Sequence, residues 1–164
     1  MAYIKWTSDL DTGISVIDGQ HRKIVDYINM LNAAKENGDK SVVAEVLEQL
    51  ADYTMSHFAF EESLQEQAGY QYLQAHKRVH AIFIKKVAEY QSRMANGEDV
   101  IDQVLATLKR WLVNHIKNDD ADYVSAVRGM TPGNCGDAQD NRDDKRRNWF
   151  TKRLRRLLGS PPAA

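Results

Sequence analysis

The chain has 164 residues, 43% hydrophobic and 27% charged, with nine glycines and three prolines, which excludes collagen-like, low-complexity and wholly disordered chains. No run of 18 apolar residues occurs, no apolar stretch follows Met1, and the one cysteine, Cys135, cannot close an internal disulfide, so the expectation is a chain that spans no membrane and sits in the cytoplasm. The formal charge of −1 divides unevenly: residues 142–158 hold eight Lys/Arg against two Asp, leaving 14 Lys/Arg and 21 Asp/Glu for an acidic body.

Four stretches carry apolar residues at helical spacing, and none shows sustained alternation of period two. The first, over about 18–37, follows Asp18 as N-cap, places Ile17, His21, Ile24, Ile28 and Leu31 on one stripe, and stops at Asn37-Gly38. The second starts near Ser41, carries Val43, Val46, Leu50, Tyr53, His57, Glu61 and Leu64, and ends before Gly69. From about Tyr70 the third turns Leu73, His76, His80, Phe83, Val87 and Tyr90 inward until Asn96-Gly97. The fourth carries Ile101, Val104, Leu108, Trp111 or Leu112, and His115. Short connections between four amphipathic helices of similar length predict an all-α, up-down-up-down antiparallel bundle with an N-terminal arm. Breakers cluster between Arg128 and Gly136, so the expected division is a bundle over 1–128, a linker over 129–141 and a basic tail over 142–164. Within that tail Phe150, Leu154, Leu157 and Leu158 share the face of a short amphipathic helix.

All five histidines fall on the inward stripes. In an up-down-up-down bundle the start of the first and third helices and the end of the second and fourth lie at one end, so His21, His57, His76, His80 and His115 gather at one level of one core. Unpaired buried polar groups there would cost several kcal/mol in all, a cost that a metal relieves. His57 with Glu61 and His76 with His80 are i, i+4 pairs, about 40° apart around a helix, so both members of each can reach one site. Glu62 projects elsewhere and is expected to be solvated. Nitrogen-rich ligation with a few carboxylates suits iron, zinc or copper. A tetrahedral zinc takes four ligands at most, whereas two irons sharing carboxylates take five histidines and two acids. A dinuclear iron site is the economical reading.

With Trp6, Ile17-Asp18-Gly19-Gln20-His21, His57-Phe58-Ala59-Phe60-Glu61-Glu62, Gly69-Tyr70, His76-Lys77-Arg78-Val79-His80 and His115-Ile116 followed by Asp120, the chain resembles the hemerythrin family, its bacterial members most of all, over about residues 3–127. The resemblance implies two iron ions per chain with a bridging oxo or hydroxo group. His76, His80 and His115 hold one iron, His21 and His57 the other, and Glu61 and Asp120 bridge them. It implies an open position on the second iron where dioxygen binds reversibly, and it makes Leu112 the oxygen-pocket leucine, with Trp111 beside it and Phe58 and Ile24 keeping the pocket dry. Regular helix geometry instead favours Asp119, at i+4 from His115, over Asp120 at i+5. A local π-type widening reconciles the two, and Asp120 is the expected ligand, leaving Asp119 and Asp122 as solvated acids. Gln65 and Gln71 depart from the Met and Pro common in bacterial relatives, which bears on the packing of the turn between the second and third helices.

The expected function is an oxygen carrier, store or delivery protein and not an enzyme, because the sequence positions no spare acid, Tyr or Cys as a proton donor beside the irons. The competing readings are a di-iron peroxide or nitric oxide reductase and an oxygen or redox sensor. For the tail, Lys152, Arg153, Arg155, Arg156 and Trp149 around the apolar face suit an anionic membrane surface or an acidic protein partner, which would place the protein at the inner membrane face. Nucleic acid is not expected, since one short basic helix lacks a reading scaffold.

Overall fold

The computed structural model describes residues 2–129, and every regular element among them is helical. Cys135, most of the expected linker and the basic segment 142–158 lie outside the described residues. A 3₁₀ turn at Ser8–Leu10 precedes α1 (Ser15–Glu36), α2 (Lys40–Gln67), α3 (Leu73–Ala95) and α4 (Ile101–Asn114). The last continues through a π-helical turn, His115–Asp120, into α5 (Ala121–Arg128). α1 packs on α2 and α4, and α3 packs on α2 and α4, which closes the expected antiparallel four-helix ring. No described helix is long and apolar enough to cross a membrane.

The helix ends follow from local chemistry. At the end of α2, Gly69 takes φ 65°, and Gly69 N–H and Tyr70 N–H donate to the carbonyls of Glu66 and Gln65. This is the Schellman pattern, open to glycine because a left-handed residue carries no Cβ clash. The same pair of bonds ends α1 through Gly38 and Asp39 and ends α3 through Gly97 and Glu98. Because the pattern uses Tyr70, α3 starts at Leu73, three residues later than periodicity alone predicts. α2 is capped by the Asp39 carboxylate, which accepts from the N–H groups of Ser41 and Val42.

Asp18 is not the N-cap of α1. The helix begins at Ser15, and the buried Asp18 carboxylate reaches back to accept from Thr12 N–H and Thr12 Oγ1, both at 2.7 Å, and from Gly13 N–H at 3.1 Å. An acid in the first helical turn also meets the positive end of the helix dipole. Asp18 thus ties the N-terminal arm to α1. Further back, Ile4 exchanges two backbone bonds of 2.9 Å with the Asn29 amide while its side chain enters the core. At the other side of the arm, Arg128 Nη2 donates to Thr12 O at 2.7 Å, packed so close to Gly13 that a Cβ there would lie 2.0 Å from the guanidinium. Ile28, Leu31, Leu47, Leu50 and Leu105 are fully buried and share one core with Ile4 and Leu10 of the arm.

Asp18→Ala strips the acceptor from three donors of the arm. We expect it to lower the unfolding free energy by about 1–3 kcal/mol, read by denaturant titration. An unchanged midpoint would show that the arm is held without it.

Candidate metal centre

The ends of α2 and of the fourth helix meet the starts of α1 and α3, and seven polar side chains enter the core there. His21, His57, Glu61, His76, His80, His115 and Asp120 are each at most 4% exposed. Glu61 Oε2 lies 3.3 Å from His80 Nε2, 3.4 Å from His76 Nε2, 3.7 Å from His115 Nε2 and 3.9 Å from His57 Nε2. Asp120 spans the same space, with Oδ1 3.0 Å from His115 Nε2 and Oδ2 3.2 Å from His21 Nε2. Two sets of candidate ligand atoms stand within 4.8 Å of one another: Glu61 with His76, His80 and His115, and Glu61 with His21 and His57.

Asp120 reaches this space because His115–Asp120 is π-helical. The wider turn carries residue i+5 onto the face of residue i, which a regular α-helix would reserve for i+4. Asp119 therefore turns outward, its side chain 37% exposed, and accepts from His115 Nδ1 at 3.1 Å.

The outer ring nitrogens identify what the inner ones offer. His57 Nδ1 lies 2.8 Å from Gln20 Oε1, His80 Nδ1 2.9 Å from Glu62 Oε1, and His115 Nδ1 faces Asp119. A carboxylate or amide oxygen only accepts, so each of these Nδ1 atoms carries a proton and donates it, and each Nε2 faces inward, as a lone pair wherever the ring is neutral. His80 Nε2 and His115 Nε2 stand 3.2 Å apart. Both nitrogens of His21, His57 Nε2 and both oxygens of Asp120 are buried without a hydrogen bond.

Electrostatics follow from this crowding. Burial pushes His57 down to about 3, against the attraction of Glu61, leaving a neutral imidazole. Burial opposes charge on His115 too, but its bond to Asp119 and the nearby Glu61 and Asp120 carboxylates outweigh that and raise it to about 10. Burial and Glu61 push Asp120 up, whereas Glu61 is held well below the usual carboxylate range by the surrounding histidines despite its own burial. Inward ring nitrogens, two carboxylates and unpartnered buried atoms form a donor set that fits metal cations, which would engage the facing nitrogens and carboxylate oxygens of both sets, as one extra proton on His115 does not.

Three expectations are corrected. Glu62 and Asp119 are not merely solvated, since they hold His80 and His115; Glu62 crosses between helices, and Asp119 sits at i+4 from His115. A phenol does stand beside the cluster: Tyr123, fully buried on α5, donates its O–H to Glu61 Oε1 and meets the His76 ring at 5.5 Å. Burial and the charges of Glu61 and Asp120 push that phenol far above its usual range, so it keeps its proton. Its position three residues beyond Asp120, one turn along the same face, was the available signal. Of the expected pocket residues, Phe58, buried, stacks on His80 with centroids 3.7 Å apart, and Trp111, half-buried, stacks on His115 at 4.3 Å. Leu112 and Ile24 are buried one turn from His115 and His21.

A family model described as hemerythrin HHE cation binding domain matches residues 12–127. Bacteriohemerythrins of Pseudomonas paraeruginosa and Stenotrophomonas maltophilia are 47% and 45% identical to this chain over 159 residues, 97% of this chain and all of theirs. The bacteriohemerythrin of Methylococcus capsulatus is 34% identical over 125 residues, 75% of this chain and 95% of its own. A crystal structure of wild-type hemerythrin aligns with a TM-score of 0.73 at 30% identity, covering 77% of this chain and 98% of that one. The matched span includes every helix that contributes to the buried cluster, and the chain belongs to the hemerythrin family.

Proposed function

We propose that this chain binds dioxygen reversibly at a di-iron centre held by His21, His57, Glu61, His76, His80, His115 and Asp120. The observation that carries the reading is the gathering of five histidines and two carboxylates at one buried level, where both nitrogens of His21, Nε2 of His57 and both oxygens of Asp120 have no hydrogen-bond partner. The natural division gives His76, His80 and His115 to one ion and His21 and His57 to the other, with Glu61 and Asp120 spanning both. Two irons held there would supply the electrons that dioxygen takes up on binding and a coordination position for it.

The protein's own part is positioning and exclusion. Gln20, Glu62 and Asp119 fix the ring orientation of His57, His80 and His115 and increase the basicity of their inward nitrogens. Tyr123 holds one oxygen of Glu61 and leaves the other facing the histidines. Leu112, Phe58, Ile24 and the flank of Trp111 keep water from the centre, which slows loss of bound oxygen and oxidation of the metal. The His-rich donor set brings few negative charges and so favours binding over oxygen activation, the reason we place carriage ahead of peroxide or nitric oxide reduction and of redox sensing. Tyr123 does not reverse that order, because its O–H points to the outer oxygen of Glu61 and not into the space between the histidines.

The basic segment 142–158 supports a separate proposal from its sequence alone. Its arginines, lysines and Trp149 around an apolar face suit docking to an anionic membrane surface, with an acidic protein as the other outcome, and would hold a cytoplasmic oxygen binder at the inner membrane face.

Protein purified from iron-replete cells should carry two irons per chain. After anaerobic reduction it should develop a visible charge-transfer band with oxygen and lose it under argon. One metal per chain, or a band that never reverses while peroxide or nitric oxide turns over, contradicts the reading. Leu112→Ala should keep both irons and autoxidise several-fold faster, followed by decay of the oxygenated band, and an unchanged rate would reduce Leu112 to a core filler. The full chain should co-sediment with anionic and not neutral vesicles, less so at high salt, and the triple change Arg153→Glu, Arg155→Glu, Arg156→Glu should abolish this. Equal sedimentation of both chains would reject the membrane role.

A further inference from the structure

Tyr123 is the innermost of three tyrosines that run from the buried cluster to solvent. Its ring lies 5.5 Å from His76 and 6.2 Å from Tyr70, and Tyr70 lies 5.9 Å from Tyr72, each centroid to centroid. Exposure rises along the row: Tyr123 is fully buried, Tyr70 half-buried, and Tyr72 57% exposed, among the most open large apolar side chains described. The row crosses two elements, α5 and the turn between α2 and α3, and its geometry depends on the Schellman turn that takes Tyr70 out of the helix. Tyrosine is one of the few side chains able to give up a single electron, and it does so together with its phenolic proton.

The other aromatic contacts of the cluster offer poorer exits. Trp111 stacks on His115, but its remaining ring neighbours are Phe58 and Phe83, which do not pass a positive hole onward. Trp6 lies 6.4 Å from His21 with the Arg22 guanidinium 5.1 Å over its ring, a charge that opposes removal of an electron from the indole.

We propose that Tyr123, Tyr70 and Tyr72 form a one-electron relay that carries oxidising equivalents from the metal centre to the surface when a peroxide reaches the oxidised protein, sparing the histidines. The proposal rests on the di-iron reading above. In the step it describes, the O–O bond of one hydrogen peroxide breaks, two tyrosines each give one electron and one proton, and two waters and two phenoxyl radicals result. The radical at Tyr72 is then quenched by a one-electron, one-proton donor from solvent such as a thiol or ascorbate, or couples carbon to carbon with Tyr72 of a second molecule.

The test treats the iron-loaded, fully oxidised full-length chain with hydrogen peroxide in the presence of a nitroso spin trap, with freeze-quench electron paramagnetic resonance and peptide mapping of adducts by mass spectrometry. We expect a phenoxyl signal and trap adducts concentrated on Tyr72. Tyr70→Phe should cut the Tyr72 adduct several-fold and shift oxidation inward, to Tyr123 and His76. Iron content and the reversible oxygen band are measured on the same samples and should be unchanged by Tyr70→Phe. Loss of those two properties in the unaltered chain would sink the di-iron reading, whereas their presence without a tyrosyl radical would sink only the relay. Equal Tyr72 adduct in metal-free protein, equal adduct in Tyr70→Phe, or a radical on Trp111 would each overturn the relay.

Discussion

The constraint on which the structure turns is the meeting of inward imidazole lone pairs with two carboxylates in a space from which water is excluded. Such a set is unfavourable by itself: like dipoles oppose one another, burial raises the cost of charge, and several atoms have no hydrogen-bond partner. Protonation relieves it only in part. His115 is raised to about 10 because the Asp119, Glu61 and Asp120 carboxylates are all within reach, while His57 is driven to about 3 by burial. Metal cations would relieve both sets of facing ligand atoms, and binding free energy gained there would be folding free energy for the same end of the bundle.

The rest of the fold serves that meeting. Four antiparallel helices bring residues distant in sequence to one level, and an apolar interior beyond the cluster fixes their spacing. The arm, held by Asp18, Asn29 and Arg128, covers the helix ends beside His21. Outer acceptors then set each tautomer. Glu62 and Asp119 act through the rings they hold, a reason to count them as part of the centre although neither enters the buried space.

Periodicity made the four helices and their inward stripes legible, because an amphipathic helix writes its buried face at fixed spacing. The gathering of five histidines at one end required only the antiparallel order of the helices. Finer features depended on bonds that spacing does not encode. Asp18 has the composition of an N-cap, but its carboxylate bonds backward to Thr12 and Gly13, so α1 starts earlier. The late start of α3 reflects the two bonds that bring Tyr70 into the α2 stop. The π turn that contains both Asp119 and Asp120 brings Asp120 inward and leaves Asp119 outside, a feature visible in sequence only as a conflict between regular geometry and family spacing. Gln20, Glu62 and Tyr123 were missed as partners because contact between helices depends on their rotation about their axes, which an inward stripe locates only broadly.

The most direct test of this account compares amide hydrogen exchange and thermal unfolding of the metal-free and iron-loaded chain. If the cluster is held together by metal, iron removal lowers the unfolding temperature and speeds exchange selectively at the end of α2, the start of α3 and residues 115–128. Amides around Leu31, Leu47 and Leu105 should keep their protection until global unfolding. Equal unfolding temperature and equal protection at that end, with and without iron, would contradict it.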